Sequence, residues 1–247
     1  MDIKLIIYYL CIFSGAVLSA FVGYFIGKKN GFTGKTLIIY ISLALVFGFS
    51  GAVIMGQIQN FVMSLTGLPF YPSRMRIFGG LLFTPVFMYF PVKYLAGDFS
   101  LVTDIFSPGI YLLLGFSKIG CAVYGCCYGI QCTPGVSTQF EEHTVFPVQL
   151  FESVLCFVLF GVMCFVVTKK KHRKGTAYPL SLILYGVMRF FIEFLRYYPE
   201  AERTYFFGMN FWQTVSVVTI LFGIIRFIHK HLGRSRDLQI SDKPYEE

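Results

Sequence analysis

The chain consists of long apolar runs that alternate with short polar segments. Seven runs approach or exceed the roughly 20 residues that an α-helix needs to cross a bilayer. They lie at Leu5–Gly27, Thr36–Gly56, Ile77–Leu95, Thr103–Gly125, Pro147–Val167, Ala177–Leu195 and Phe211–Ile228. The pattern predicts an all-α polytopic membrane protein with seven transmembrane helices. We expect one domain, residues 1–247, with a short polar cytoplasmic tail at 234–247.

The composition supports this interpretation. Of 247 residues, 55% are hydrophobic and 14% are charged, and the mean hydropathy of +0.65 is far too high for an ordinary soluble domain. The first run is long enough to span a bilayer, so we interpret it as a retained helix and not as a cleaved signal peptide. The net charge of +8 comes largely from basic residues between apolar runs, where they meet lipid headgroups. Nucleic-acid binding is therefore not expected.

Basic residues are distributed unequally over the polar segments. Fourteen fall on one side of the predicted membrane, and five fall on the other, namely Lys4, Arg74, Arg76, Arg196 and Arg203. The segment between the fourth and fifth runs contains no lysine or arginine. The positive-inside rule therefore predicts that the N-terminus lies outside and the C-terminus lies in the cytoplasm.

The sixth run carries charges inside an apolar helix. In YGVMRFFIEFLR, offsets of four, four and three place Tyr185, Arg189, Glu193 and Arg196 on one helix face. Each isolated charge at bilayer depth costs on the order of 3 kcal/mol, so such groups face a partner, a cavity or a ligand. One hypothesis is a structural Arg189–Glu193 ion pair, with Arg196 extending to the outer surface. The other is a binding site for an anion.

The third and fifth runs add further polar candidates. In FPVQLFES, Gln149 and Glu152 share one helix face, and Glu152 either neutralises a basic residue at 118 or 189 or acts in catalysis. In RMRIFGGLLF, Arg74 and Arg76 precede the pair Gly79–Gly80. The glycines permit close approach of a helix or a ligand, and the arginines contact headgroups or a substrate. Together with positions 118, 189 and 196, these arginines form a set of five cations that suits a phosphate.

The stretch KIGCAVYGCCYGIQC contains four of the seven cysteines, at positions 121, 126, 127 and 132. Structural zinc sites normally use ligands two to four residues apart, so this spacing disfavours a metal, and no metal ligand is assigned. A disulfide from Cys132 to Cys126 or Cys127 is an alternative that spacing does not decide. Lys118 and the glycines, which include Gly129, instead suggest a groove beside a cation.

Four segments together resemble the prolipoprotein diacylglyceryl transferase family. They are FGGL, GFSKIGCAVYGCCYG, FPVQLFE and YGVMRFFIEFLRYYPE, in the family's order. The resemblance implies a seven-helix enzyme of the bacterial cytoplasmic (inner) membrane that requires no cofactor. Such enzymes transfer the diacylglyceryl group of phosphatidylglycerol to a lipoprotein cysteine thiol and release glycerol phosphate. We therefore expect the donor of this protein to be phosphatidylglycerol or a similar anionic phospholipid.

The resemblance assigns roles to individual residues. Arg189, Tyr185 and Gly129 correspond to family motif positions, and Glu193 and Arg196 extend the same motif. With Lys118, the positions Arg189, Tyr185 and Glu193 are predicted to be catalytic. The predicted substrate-binding positions are Arg74, Arg76, Gly79, Gly80, Cys121, Gly129, Gln149, Glu152 and Arg196.

Five positions depart from the family pattern. Phe78 replaces a histidine, Lys118 an arginine, Cys121 an asparagine, Cys126 a glutamate and Phe151 a tyrosine. Phenylalanine cannot transfer a proton, and lysine keeps the charge without the planar fork that suits phosphate. The acceptor is therefore left open between a lipoprotein cysteine and a glycan or lipid hydroxyl. A non-catalytic lipid-binding protein and a small transporter are further alternatives.

Overall fold

The computed structural model describes residues 3–65, 77–138, 141–169, 174–198, 205–206 and 208–241. Its α-helices are α1 (Ile3–Lys29), α2 (Gly34–Leu65), α3 (Ile77–Tyr94), α4 (Phe99–Tyr124), α5 (Val148–Thr168), α6 (Ala177–Ile192) and α7 (Phe211–Ser241). Each overlaps a predicted apolar run, and α2 and α7 extend beyond the predicted ends. Among the described residues, six helices, all except α3, are long and apolar enough to cross a membrane. The prediction of an all-α polytopic membrane protein is confirmed at this level.

Local signals fix the ends of the helices. Asp98 caps α4 by accepting hydrogen bonds from the backbone N–H groups of Ser100 and Leu101, and Gly125 ends it in a left-handed conformation with φ 86°. At the start of α7, Asn210 and Gln213 each accept a hydrogen bond from the other's backbone N–H. This reciprocal arrangement is a capping box. The helix then continues to Ser241, so the first part of the predicted tail is helical.

Helix α4 lies at the centre of the packing. It contacts α1 along one side and α5 along another, while α2 packs on α3 and α6 packs on α7. The main apolar core combines residues of several helices, such as Ile105, Met163 and Leu182. Large apolar side chains on α1 and α2, including Phe13 and Phe49, point away from the protein. Such outward faces are what lipid contact requires.

A buried aspartate joins α4 to the start of α6. Asp104 accepts hydrogen bonds from the backbone N–H groups of Gly175 (2.6 Å) and Tyr178 (2.8 Å). A carboxylate at a helix N-terminus satisfies amides that have no partner within the helix. This contact fixes the beginning of α6, the helix that carries Tyr185 and Arg189.

Two short β-hairpins accompany the helices. Strands β1 (Gln131–Thr138) and β2 (Glu141–Val145) are antiparallel with an irregular register, and β3 (Tyr205–Phe206) pairs with β4 (Met209–Asn210). Apolar periodicity did not predict either hairpin. The first hairpin fills the connection between α4 and α5, beside the stretch that contains the cysteines.

The sixth run does not remain α-helical to its end. Helix α6 stops at Ile192, a 3-10 turn covers Glu193–Leu195, and Arg196 is extended. The expectation of one continuous helix face from Tyr185 to Arg196 is therefore wrong. The extended backbone at Arg196 forms a bridge with Gly129, which pairs the end of the sixth run with the segment that follows α4.

The glycines of α3 mediate close helix packing. A Cβ atom at Gly79 would collide with the carbonyl oxygen of Gly51, and one at Gly80 would lie 3.0 Å from that of Gly48. Both contacts are made with the α2 backbone, which cannot move aside as a side chain can. Of the two interpretations of this pair, helix packing is the one that the contacts support.

We predict that Gly79→Ala lowers the stability of the protein. The added methyl group has to displace the α2 backbone, and overpacking of this kind costs about 1–3 kcal/mol. Gly161→Ala in α5 is the matched control, since a Cβ there meets nothing within 4 Å. Thermal unfolding in detergent micelles measures both variants. Equal unfolding midpoints for the two would contradict the packing role of Gly79.

Candidate functional site

Glu152 lies at the centre of a buried ion cluster. Its Oε2 atom is 2.9 Å from the Lys118 Nζ atom of α4 and 3.2 Å from the Arg189 Nη1 atom of α6. Arg189 Nη1 also lies 3.3 Å from Oε1. Only 1% of the Glu152 side chain is exposed. The expectation that Glu152 neutralises Lys118 or Arg189 is confirmed, because it contacts both.

A second carboxylate holds the other side of Arg189. Glu193 pairs with Arg189 Nη2, which confirms the Arg189–Glu193 ion pair, and it lies 3.8 Å from Arg196 Nη1. Asn210, at the start of α7, donates a hydrogen bond to Glu193 Oε2 at 3.4 Å. Arg189 is therefore fixed from two sides by carboxylates that belong to different elements.

Arg196 does not extend to the outer surface as one sequence hypothesis expected. Its side chain is 9% exposed and faces Glu193, while its Nη2 atom donates to the carbonyl of Cys127 at 3.5 Å. The extended conformation that follows the 3-10 turn directs the guanidinium back toward the cluster. It therefore becomes a third cation of the site.

The cluster carries an excess of positive charge. Lys118, Arg189 and Arg196 contribute three cations, and Glu152 and Glu193 contribute two carboxylates, so one positive charge is uncompensated within this set. A buried net charge is costly unless an opposite charge approaches. The arrangement is therefore suited to an anionic ligand.

Gln149 and Gly129 hold the connection after α4 against the cluster. Gln149 donates from Nε2 to the carbonyl of Cys126 at 2.8 Å. A Cβ atom at Gly129 would lie 2.7 Å from the carbonyl oxygens of both Phe146 and Leu195, so only glycine fits there. Both positions, predicted as substrate-binding, make contacts that shape the site.

Aromatic side chains border the cluster. Tyr185 is buried, and its ring centroid lies 5.1 Å from that of Phe78 and 6.4 Å from that of Tyr111. Phe78 also stacks on Trp212, with centroids 5.9 Å apart. The position where the family pattern has a histidine is thus part of an apolar aromatic group. Phe78 supplies neither a proton donor nor an acceptor.

The cysteines after Lys118 approach one another closely. The Sγ atoms of Cys121, Cys126 and Cys127 all lie within 4.8 Å of one another. All seven cysteines lie in the described part of the chain as free thiols, and Cys132 instead donates to the carbonyl of Pro134. Hydrogen bonds from the Cys121 and Cys126 thiols, with the nearby Arg196 and Lys118 cations, hold the pKa of Cys127 well below its usual range.

Some predicted site residues are not part of this cluster. Gly79 and Gly80 contact α2, as described above. Arg74 and Arg76 lie outside the described residues. The set of five cations is thus represented by the three whose contacts are described, Lys118, Arg189 and Arg196.

Sequence reasoning missed three residues that shape the site. Asn210 contacts Glu193, Trp212 stacks on Phe78, and Asp104 fixes the start of α6. The spacing Asn210-x-x-Gln213 before an apolar run is the signal that would have located the start of α7. Asp104 is an acidic residue inside an apolar run and was identifiable by the same criterion as Glu152.

Comparison with known proteins identifies the family. A family model described as prolipoprotein diacylglyceryl transferase matches residues 1–229. The chain belongs to this family. The resemblance expected from the four sequence segments is thereby confirmed.

Individual members of the prolipoprotein diacylglyceryl transferase family are similar over different lengths. The chain is 31% identical over 141 residues to phosphatidylglycerol–prolipoprotein diacylglyceryl transferase 2 of Clostridium perfringens, a match spanning 54% of each protein. It is 25% identical to the Clostridium tetani enzyme over 81% of this chain and 83% of the relative. For Streptococcus uberis, the identity is 26% over 88% of each. None of these names supports the glycan or lipid hydroxyl acceptor.

We predict that Glu152 and Lys118 are energetically coupled. Glu152→Gln leaves Lys118 buried without its carboxylate, and breaking such a pair costs about 3–5 kcal/mol. Lys118→Met removes the cation, so the double variant recovers part of the loss, with a coupling of about 0.5–3 kcal/mol. Glu142→Gln on the exposed face of β2 is the control, with a change within about 0.5 kcal/mol. Unfolding in micelles measures all four, and additive effects would contradict the coupling.

Proposed function

We propose that this protein transfers the diacylglyceryl group of phosphatidylglycerol to the cysteine thiol of a prolipoprotein. The observation that carries the proposal is the buried Lys118–Glu152–Arg189–Glu193–Arg196 cluster, in which three cations are held in place by two carboxylates. Family membership supports the donor and the acceptor, because the relatives' names state both.

The reaction exchanges one bond at the glyceryl carbon. The acceptor sulfur forms a bond to the carbon, the carbon–oxygen bond to the phosphate breaks, and the thiol proton is released. The phosphate changes from a diester with one negative charge to a monoester that gains a second. Cations already fixed around the phosphate stabilise this developing charge more than the ground state, and that difference accelerates the reaction.

The contacts of each residue in the cluster suggest its role in binding the donor. Glu152 and Glu193 hold the Arg189 guanidinium in place, and Arg189 is assigned the contact with the phosphate. Lys118 supplies a point charge, and Tyr185 forms the adjoining wall. Gln149, Gly129 and Arg196 hold the neighbouring backbone at the donor's headgroup.

Because Phe78 cannot transfer a proton, electrostatic stabilisation is the main catalytic contribution in this proposal. Its ring packs between Tyr185 and Trp212 and offers no base for the acceptor thiol. The thiol therefore loses its proton without help from residue 78. Stabilisation of the departing glycerol phosphate then provides most of the rate enhancement.

The membrane arrangement in this proposal has seven spans in one domain. Helix α3 adds the seventh span to the six helices that meet the length and hydropathy requirement. The basic residues favour an external N-terminus and a cytoplasmic C-terminus in the bacterial inner membrane. Polar residues after Ser241 then complete the cytoplasmic tail.

We predict that a fluorescent reporter fused to the C-terminus is active in the cytoplasm. A periplasmic phosphatase fused at the same position is then inactive, since it folds only outside the membrane. Fusions to the β1–β2 hairpin give the reverse pattern because this connection contains no lysine or arginine. Phosphatase activity from the C-terminal fusion would overturn the proposed orientation.

We predict that Arg189→Gln lowers kcat about 10²–10³-fold, the usual effect of removing a donor to a developing negative charge. Arg189→Lys retains the charge but loses the planar fork, so its kcat falls between that of the native protein and that of Arg189→Gln. Arg226→Gln is the control, because this arginine is exposed on α7. The assay uses phosphatidylglycerol vesicles and a lipobox peptide and detects lipidated peptide and glycerol phosphate by mass spectrometry.

Three results of this assay would contradict the proposal. Full activity of Arg189→Gln would remove the assigned phosphate contact. Lipidation from phosphatidylcholine at the same rate would contradict selection of an anionic donor. Saturable phosphatidylglycerol binding without any product would show a lipid-binding protein that has lost turnover.

A further inference from the structure

The three thiols at the end of α4, which include the predicted substrate-binding position Cys121, form a cluster to which the proposed mechanism assigns no step. Cys121 belongs to the last turn of the helix, and Cys126 and Cys127 follow the left-handed Gly125. Their sulfur atoms lie within 4.8 Å of one another although Cys121 is five residues from Cys126. The turn at Gly125 reverses the chain and produces this proximity.

The separation of the sulfur atoms fits a thiolate metal centre. Sulfur ligands at about 2.3 Å from one zinc ion lie about 3.8 Å apart in tetrahedral geometry. The observed limit of 4.8 Å requires only small side-chain rotations to reach this value. We infer that Cys121, Cys126 and Cys127 bind one soft, thiophilic metal ion such as Zn²⁺ or Cu⁺.

The backbone around the cluster is already fixed by other elements. The carbonyls of Gly125 and Cys126 accept hydrogen bonds from Thr138 Oγ1 and Gln149 Nε2, each at 2.8 Å. Arg196 donates to the carbonyl of Cys127. The three ligands therefore lose little conformational entropy on binding an ion.

Cys127 has a strained backbone that brings its thiol into the group. Its φ of 60° is in the left-handed region, which non-glycine residues adopt rarely and at a cost on the order of 1–3 kcal/mol. Strain of this kind marks functional positions. Cys127 is also exposed, whereas Cys121 is buried, so the group is accessible from the side of Cys127.

The surrounding charges favour the loaded centre. Three thiolates with Zn²⁺ carry a net charge of −1, and with Cu⁺ the net charge is −2. Lys118 and Arg196 lie close enough to Cys127 to interact with it electrostatically. They stabilise an anionic metal–thiolate group and disfavour a bare divalent cation. Tyr8 of α1 is close enough to interact electrostatically with all three thiols.

This site differs from the spacing pattern of structural zinc sites. Repeated C-x2-C pairs place ligands close together along the chain, whereas here the helix end and the turn place them close together in space. A disulfide would join two of the three sulfur atoms and leave one over. A metal ion uses all three.

The test measures metal binding independently of transferase activity. Protein purified in detergent under reducing conditions is stripped with a chelator and titrated with Zn²⁺, with Cu⁺ under anaerobic conditions, and with Cd²⁺ as a spectroscopic probe. We expect a single ion per chain and an ultraviolet thiolate-to-metal charge-transfer band. Binding of Mg²⁺ with the same stoichiometry would overturn the assignment of a soft-metal site.

Serine variants locate the ion. Cys121→Ser, Cys126→Ser and Cys127→Ser should each lose the charge-transfer band and the metal-dependent rise in Tm. Cys132→Ser is the matched control, because Cys132 lies outside the group and should keep both signals. Loss of binding in Cys132→Ser to the same extent, or its retention in the other three, would overturn the proposal.

Two further measurements separate misfolding and oxidation from loss of a ligand. The Tm of each metal-free variant is compared with that of the metal-free native chain, and Cys127→Ser is decisive because its side chain is exposed. If Cys127→Ser keeps the native metal-free Tm and still binds the ion, the assignment fails. A second preparation is isolated without reductant after alkylation of free thiols, and a disulfide within the trio in its non-reduced peptides, detected by mass spectrometry, would also overturn the assignment.

Discussion

The contact of Glu152 with two cations is the constraint on which the site depends. Apolar packing between helices in a membrane is weakly directional, because lipid is as apolar as a leucine side chain. A carboxylate that is 2.9 Å from Lys118 and 3.2 Å from Arg189 is strongly directional, since misalignment leaves a buried charge without a partner. The rotation of α4, α5 and α6 about their axes is therefore fixed by one side chain. Glu193 extends the same constraint to α7 through Asn210.

Much of the fold followed from hydropathy, and part of the site followed from spacing within helices. All seven apolar runs became helices, and the i,i+4 relation of Arg189 and Glu193 predicted their ion pair. The β1–β2 hairpin and the proximity of Cys121 to Cys126 were not predicted. Both depend on the backbone path of the segment that follows α4, and the apolar periodicity of helices contains no information about that path. Gly79–Gly80 shows the same limit, because the sequence allowed a helix or a ligand beside it and only the α2 contact decided.

The buried position of Arg196 shows how a change of backbone geometry changes an electrostatic assignment. A continuous helix would have directed this side chain outward along the axis. The 3-10 turn and the bridge to Gly129 instead bring the guanidinium to Glu193 and to the carbonyl of Cys127. The cluster thereby gains the third cation that gives it a net positive charge. The requirement for glycine at position 129 is thus a condition for the electrostatics, since a side chain there would separate the two segments.

The departures from the family pattern change two separate environments. At position 78, the histidine of the family pattern is replaced by a phenylalanine ring that packs on Tyr185 and Trp212. The replacement removes a proton-transfer group and adds apolar contact. At the end of α4, an asparagine and a glutamate are replaced by Cys121 and Cys126, which removes hydrogen-bonding groups and brings three soft ligands together. The ion cluster between these two regions keeps a charged residue at each position. In the proposed function, anion binding depends on that cluster and not on the two regions beside it, so divergence at positions 78, 121 and 126 leaves the proposed donor site in place.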